Sequence, residues 1–232
     1  MSRIAENLTQ VRQQLRKSAE NAQRNTADIT LLAVSKTRPA DDLRIAYQSD
    51  QRHFGENYLQ ESLDKINELS DLAIVWHFIG PLQSNKTKAV AENFAWVHTI
   101  DRLKVAQRLS KQRPSDLAPL NICIQVNISE EESKSGCLPF ELTRLAQDIS
   151  QLPNICLRGL MAIPKATDDP AEQLAAFAKM KSLQLELQAQ HPHLDTLSMG
   201  MSGDMDAAVS QGATIVRIGT AIFGKRDPKP IA

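Results

Sequence analysis

Hydrophobic residues along the chain alternate between two patterns, short apolar runs and longer stripes with a spacing of three or four. The first stripe predicts an amphipathic helix over residues 2–22, and the first run predicts a strand over 29–34 that is buried on both faces. The alternation continues and predicts seven further strands, at residues 52–55, 74–79, 95–100, 120–126, 155–163, 194–198 and 214–218. A helical stretch follows each of them.

Eight strand–helix units after one extra helix predict an α/β fold, a TIM (β/α)8 barrel with an added N-terminal helix. Strands separated by helices pair in parallel through right-handed crossovers, and eight such units close a barrel. An open doubly wound sheet is the alternative, but residues 34–39 (VSKTRP) stand where a GxGxxG phosphate loop would follow the first strand. We expect a single domain over residues 1–232, with Asp101 capping the helix after the fourth strand.

Composition and charge exclude several classes of protein. Lys plus Arg and Asp plus Glu both number 27, so the net charge is zero and the basic surface of a nucleic-acid-binding protein is not expected. The three cysteines form no CxxC pair, which argues against a disulfide framework or a zinc site. No apolar run has the length of a membrane span or a leader peptide. We expect a soluble cytoplasmic protein without nucleic-acid or membrane partners.

Candidate chemistry collects where the predicted strands end, which is the end at which barrel enzymes place their sites. The residues at these ends are Ser35, Lys36, Gly55, Glu56, Asn57, His77, Met161, Ser198, Met199, Ser202, Gly203, Asp204, Arg217, Gly219 and Thr220. The segments after the last two strands are rich in glycine and hydroxyl residues and open helices. Barrels often bind phosphate there through backbone N–H groups, although ordinary strand-to-helix turns use the same residues.

Lys36 follows the first apolar strand, across the predicted mouth from the glycine-rich segments. Position alone favours a solvated lysine at the rim. A lysine in a partly apolar pocket has a lowered pKa, however, and forms an imine with an aldehyde. A phosphate site opposite such a lysine suggests pyridoxal phosphate, which carries both groups.

Several long motifs resemble the pyridoxal-phosphate homeostasis proteins, and together they cover nearly the whole chain. They are Ala33–Thr37, His53–Asn57, Trp76–Lys86, Gly159–Met161, Ser198–Asp204 and Val216–Gly224. The resemblance implies that Lys36 forms the cofactor imine and that Arg217 faces the pyridine nitrogen. It further implies that the cofactor phosphate lies on Ser202–Gly203 and Gly219–Thr220. The remaining cofactor-binding residues that it implies are Asn57, His77, Met161, Ser198 and Met199.

The same barrel with an imine lysine is similar to the N-terminal domain of alanine racemase, so a pyridoxal-phosphate-dependent racemase is the rival hypothesis. Arg217 weighs against such chemistry, because a permanently protonated arginine keeps the ring nitrogen neutral and weakens the ring as an electron sink; this disfavours transaminase-like reactions and leaves racemisation open. A racemase also needs a second acid/base, which in alanine racemases is a tyrosine from a partner chain. The two tyrosines, Tyr47 and Tyr58, lie in predicted barrel helices, where packing or rim positions are expected.

We therefore expect a protein that holds pyridoxal phosphate without catalytic turnover and takes part in vitamin B6 balance, with effects on amino-acid and keto-acid metabolism. Apo-enzymes that depend on this cofactor are possible partners, and the single-domain form favours a monomer. Lys134, in the polar loop 129–136, and Lys225, after the last helix, are candidates for transient cofactor binding. Solvated loop lysines are the alternative for both.

Overall fold

The short apolar runs form eight parallel strands that close into a barrel in chain order, with β8 hydrogen-bonded to β1. The computed structural model describes residues 2–131 and 134–225. The strands are β1 (Thr30–Val34), β2 (His53–Glu56), β3 (Val75–Phe78), β4 (Trp96–Ile100), β5 (Leu120–Gln125), β6 (Ile155–Met161), β7 (Thr196–Ser198) and β8 (Ile215–Ile218). The closed barrel confirms the predicted fold class and rules out the open sheet.

Amphipathic helices surround the barrel and cover the outer faces of its strands. They are α1 (Arg3–Asn21), α2 (Ala40–Gln48), α3 (Leu59–Glu68), α4 (Thr87–Asn93), α5 (Leu103–Gln112), α6 (Leu142–Ser150), α7 (Pro170–Gln188), α8 (Met205–Ser210) and α9 (Thr220–Phe223). Short 3₁₀ turns at Thr26–Asp28 and Pro139–Glu141 add to them. The apolar residues that most of these helices bury supply most of the hydrophobic driving force for this arrangement.

The extra N-terminal helix α1 packs where the barrel closes on itself. Ser2 caps it by accepting a hydrogen bond from the backbone N–H of Ala5 at 3.3 Å. Its buried stripe of Leu8, Val11 and Leu15 faces the barrel, and the helix contacts α8, α9 and α2. The helix therefore joins the last strand–helix units to the first.

The predicted cap at Asp101 is wrong. Helix α5 begins at Leu103, and its N-cap residue is Arg102, which makes no side-chain capping hydrogen bond. Arg102 is fully extended, with φ −156° and ψ 145°, so Asp101 lies too far ahead of the helix to reach its first N–H groups. The Asp101 carboxylate instead lies 3.6 Å from Nε of Arg102.

Most strands are shorter than their apolar runs predict, and β3, β6 and β7 are each shorter by two residues. Strand β7 begins at Thr196 rather than at residue 194, and β6 ends at Met161 rather than at 163. Between them the backbones approach so closely that a Cβ atom on Gly159 would lie 1.8 Å from the carbonyl oxygen of Thr196. Glycine is therefore required at this position.

Some predicted features extend beyond the described residues. Residues 132–133 of the polar loop and residues 1 and 226–232 of the predicted domain lie outside them, so the domain bounds 1–232 stay a prediction. Among the helices that the structure describes, none is both long enough and apolar enough to cross a membrane.

Candidate functional site

A cavity of about 370 Å³ opens at the carboxyl ends of the strands, within the range of roughly 300–1,000 Å³ that small-molecule sites occupy. Its lining residues are Val34, Lys36, Arg38, Asn57, Ile79, Met161, Ile163, Met201, Ser202, Gly203, Arg217, Gly219 and Thr220. Eight of the eleven predicted site residues are in this set. Loops after strands β1, β2, β3, β6, β7 and β8 thus bring residues that are far apart in sequence to one cavity.

Three predicted site residues, His77, Ser198 and Met199, do not line the cavity. Each is 0% exposed, and they lie within the barrel and under its mouth. The sequence reasoning also missed cavity residues, among them Arg38 and Met201. Arg38 lies two residues beyond Lys36, so reading further along that loop could have found it, whereas Met201 lies within the Ser198–Asp204 motif and was passed over.

Lys36 is half-buried on the wall of the cavity that Val34 and Ile79 also form. Its backbone continues from the end of β1, and the next residue, Thr37, has a positive φ of 65°. Residues other than glycine, asparagine and aspartate seldom adopt this backbone conformation. The turn after Lys36 is therefore held in an unusual backbone geometry.

A buried charge cluster lies next to this turn. Nζ of Lys65 donates to Oε1 of Glu56 at 2.8 Å, to Oε1 of Glu61 at 2.6 Å and to the carbonyl oxygen of Ser35 at 2.8 Å. The side chain of Glu56 is 0% exposed and that of Lys65 is 6% exposed. Burial raises the pKa of Glu56, while Lys65 and the hydroxyl of Ser35 lower it in part.

Arg217 lines the cavity and is held from two sides. Its NH1 donates to Oγ of Ser198 at 2.9 Å, and its NH2 donates to the carbonyl oxygen of Ala162 at 2.9 Å. Burial lowers the pKa of Arg217 to about 10, and Asp204 opposes this shift. The guanidinium therefore stays charged at neutral pH and has N–H donors beyond those two contacts.

A row of hydrogen-bonded histidine rings crosses the barrel interior beneath Arg217. Nδ1 of His53 lies 2.9 Å from Nε2 of His77, and Nδ1 of His77 lies 2.9 Å from Nε2 of His98. Nδ1 of His98 lies 2.8 Å from Oγ of Ser198. Burial lowers the pKa of His98 to about 3 and that of His77 well below its usual value. These rings are therefore neutral at physiological pH, and they connect the half-exposed His53 to Arg217.

The backbone after β7 and β8 leaves room for an anion. The N–H groups of Ser202 and Gly203 donate to no acceptor within residues 2–131 and 134–225. A Cβ atom on Gly203 would meet nothing within 4 Å. The hydroxyls of Ser202 and Thr220 lie on the same cavity. Such a set of N–H and O–H donors suits a phosphate group.

Asn57 has a buried side-chain oxygen, Oδ1, with no hydrogen-bond partner in the described part of the chain. The loop that carries it packs tightly, because a Cβ atom on Gly80 would lie 2.2 Å from the carbonyl oxygen of Asn57. A buried acceptor that faces no donor is costly to the fold, and it is commonly satisfied by a ligand or by water. Asn57 is therefore placed to accept a hydrogen bond in the cavity.

The lysines considered for transient cofactor binding and the two tyrosines do not line this cavity. Nζ of Lys134 lies 3.1 Å from Oε2 of Glu131, beside a neighbouring cavity. Lys225 is the last residue described, and its carbonyl oxygen accepts a hydrogen bond from Arg38. Tyr47 is in α2 as predicted, whereas Tyr58 precedes α3 and is 53% exposed.

Known proteins with similar sequences cover nearly the whole chain. The family model of the alanine racemase N-terminal domain matches residues 3–227. A pyridoxal phosphate homeostasis protein of Pseudomonas aeruginosa is 59% identical over 227 residues, which are 98% of this chain and 97% of that protein. The protein of the same name from Escherichia coli K12 is 52% identical over 230 residues, with 98% of each chain covered.

Solved structures give the same result. PipY of Synechococcus elongatus, determined with PLP bound, superimposes with a TM-score of 0.83 at 40% identity, over 95% of this chain and 100% of PipY. Alanine racemase of Corynebacterium glutamicum shares the fold, with a TM-score of 0.66 at 16% identity, over 99% of this chain and 63% of the racemase. The chain therefore belongs to the alanine racemase N-terminal domain family and, within it, to the pyridoxal phosphate homeostasis proteins.

Proposed function

We propose that this chain binds pyridoxal phosphate in the cavity at the barrel mouth and holds it through Lys36 in the service of vitamin B6 homeostasis. The observation that carries the proposal is that one cavity brings together an amine at Lys36, a guanidinium at Arg217 and open space at Gly203. The names of the relatives and the PLP-bound PipY structure support it.

Each part of the cavity fits one part of the cofactor. When bound, pyridoxal phosphate supplies an aldehyde, which condenses with the Lys36 amine to an imine and releases water. The N–H groups of Ser202 and Gly203 and the hydroxyl of Thr220 suit the phosphate. Arg217 donates to the pyridine nitrogen, since a charged guanidinium donates and cannot accept. Asn57 offers an acceptor on the cavity wall.

We further propose that the protein holds the cofactor rather than using it in turnover. Racemisation needs a second acid/base opposite the lysine. Among the cavity-lining residues in the described ranges there is no tyrosine, histidine, cysteine or carboxylate. With Arg217 as the donor, the ring nitrogen stays unprotonated, which weakens the ring as an electron sink. Apo-enzymes that require the cofactor are the proposed acceptors, and the chain is proposed to act as a cytoplasmic monomer.

Replacing the lysine tests the cofactor site. The purified wild-type protein is expected to show the violet absorbance of a protein-bound imine after addition of pyridoxal phosphate, and Lys36→Ala is expected to lose it. Lys36→Arg is the matched control, because it keeps the positive charge without an amine that can condense. Retention of the band in either variant would refute the assignment of Lys36.

Absence of turnover is tested with the loaded protein. We expect no racemisation of alanine or serine, measured by chiral separation after prolonged incubation. Racemisation that Lys36→Ala abolishes would overturn the proposal of a non-catalytic holder in favour of a racemase.

A further inference from the structure

The two peptide units that flank Lys36 are held by side chains that do not line the cavity. On one side, the carbonyl oxygen of Ser35 accepts a hydrogen bond from Nζ of Lys65 at 2.8 Å. On the other side, the N–H of Thr37 donates to Oε1 of Glu61 at 2.5 Å. The backbone on both sides of the amine-bearing residue is thus fixed from outside the site.

Lys65 links these two contacts into one unit. Its ammonium bonds to Glu61 at 2.6 Å, one helical turn earlier in α3, and to Glu56 at the end of β2 at 2.8 Å. Glu56 also accepts the hydroxyl hydrogen of Ser35 at 2.6 Å. We call Glu56, Glu61 and Lys65 the anchor cluster. Because its members lie on a strand and a helix of the barrel, the cluster ties the turn to rigid elements.

The backbone at Thr37 shows why such an anchor is needed. Its φ of 65° is unfavourable for a β-branched residue. Conformations of this kind persist where surrounding contacts impose them, and they concentrate at functional sites. The hydrogen bond from the N–H of Thr37 to Glu61 holds the Lys36–Thr37 peptide unit next to this strained residue.

We propose that the anchor cluster positions Lys36, fixing the direction in which its side chain leaves the backbone so that Nζ meets the carbonyl carbon of the ligand. The inference rests on the proposed function, because it assigns the cluster to imine formation at that same site. Glu56, Glu61 and Lys65 are positioning residues, and the hydrogen bonds they make within the described residues go to Ser35, Thr37 and one another, not to the phosphate-binding segment or Arg217. Their loss is therefore expected to affect the imine and to spare the remaining ligand contacts.

Glu61 offers the sharpest test, since it is the partly exposed member of the cluster, with 31% of its side chain accessible. Glu61→Gln keeps an oxygen within reach of the N–H of Thr37 and removes the charge. Glu61→Asp keeps the charge and withdraws the oxygen by one methylene. Glu61→Ala removes both. If Glu61 positions Lys36, an oxygen of residue 61 must reach the N–H of Thr37. If its role is purely electrostatic, residue 61 must carry the negative charge.

Two ligands separate the imine from the other contacts. Pyridoxal 5′-phosphate forms the imine, whereas pyridoxine 5′-phosphate has the same ring and phosphate but no aldehyde. We expect Glu61→Ala and Glu61→Asp to weaken pyridoxal phosphate binding about tenfold, the size of one lost hydrogen bond. The imine band is expected to appear more slowly. Pyridoxine phosphate binding is expected to stay within twofold of wild type, and Glu61→Gln is expected to match wild type with both ligands.

Equal losses for both ligands in Glu61→Ala or Glu61→Asp would overturn the inference, because they would show general damage to the site. Wild-type behaviour of Glu61→Asp together with impaired Glu61→Gln would also overturn it, in favour of charge. The Gln and Asp variants decide the question even if the Ala variant does not fold. Absence of an imine band in the wild-type protein would instead refute the proposed function.

Discussion

Replacement of Lys65 by methionine is expected to destabilise the fold strongly, because it leaves a carboxylate buried without its cation. Methionine has a similar length and fills most of the space, so the change removes the charge and three hydrogen bonds rather than creating a large cavity. The side chain of Glu56 is 0% exposed, and its Oε2 has no partner in the described residues even with Lys65 in place. Breaking one partner out of a buried pair costs about 3–5 kcal/mol.

The pH dependence of this loss has a definite sign. Burial already raises the pKa of Glu56, and removal of Lys65, which lowers it, raises it further. Such a carboxyl group has a higher pKa in the folded state than in the unfolded state. It stabilises the fold at pH values below its unfolded-state pKa, and this stabilisation is lost as the pH rises through its folded-state pKa. The deficit of Lys65→Met is therefore expected to be smaller at pH 5 than at pH 8.

Urea unfolding followed by the fluorescence of Trp76 and Trp96, which lie in β3 and β4, measures the effect. The control is the double variant Lys65→Met with Glu56→Gln, which removes both charges and is expected to recover at least half of the lost free energy of unfolding. A deficit below about 1 kcal/mol, the size typical of an exposed pair, would refute the reasoning. So would a double variant no more stable than the single one.

The remaining predictions concern the barrel interior. Gly159→Ala is expected to cost more than about 2 kcal/mol, because its Cβ atom would lie 1.8 Å from the carbonyl oxygen of Thr196. Gly203→Ala, whose Cβ atom meets nothing within 4 Å, should stay within about 0.5 kcal/mol in the same urea assay, and equal losses would contradict the packing argument. Because the pKa of His98 is lowered to about 3, the unfolded chain binds protons first as the pH falls below 6.5. His98 should therefore lower the stability by about 1.4 kcal/mol at pH 5.5. His98→Gln should flatten that slope, and an unchanged slope would show that His98 does not contribute.

Hydrophobic periodicity predicted the barrel because each strand and each helix carries its own signal. The approximate position of Lys36 and Arg217 follows from the same logic, since parallel strands bring their carboxyl ends together. Periodicity could not predict that Lys65 is buried. It marks Leu59, Leu63 and Ile66 as the inner face of α3, whereas Lys65 is among the buried residues of that helix.

Contacts between residues that are far apart in sequence explain the features that the sequence did not predict. Burial of Lys65 is possible because Glu56 comes from a different element, and no local pattern encodes that pairing. The helix start after β4 failed as a prediction for a related reason. Asp101 is a good capping residue by type, but the extended backbone of Arg102, which depends on the surrounding fold, places it out of reach.

The row of histidine rings also helps the buried guanidinium of Arg217 to keep its charge. The charge of Asp204 raises the pKa of Arg217 in part, and Arg217 donates to Oγ of Ser198. The Ser198 hydroxyl then donates to His98, His98 to His77 and His77 to His53, because the reverse order would leave the hydroxyl hydrogen without an acceptor in the described residues. Every dipole in the row turns its negative end toward Arg217. A polarised row of neutral rings thus stabilises the buried cation, in addition to the charge of Asp204.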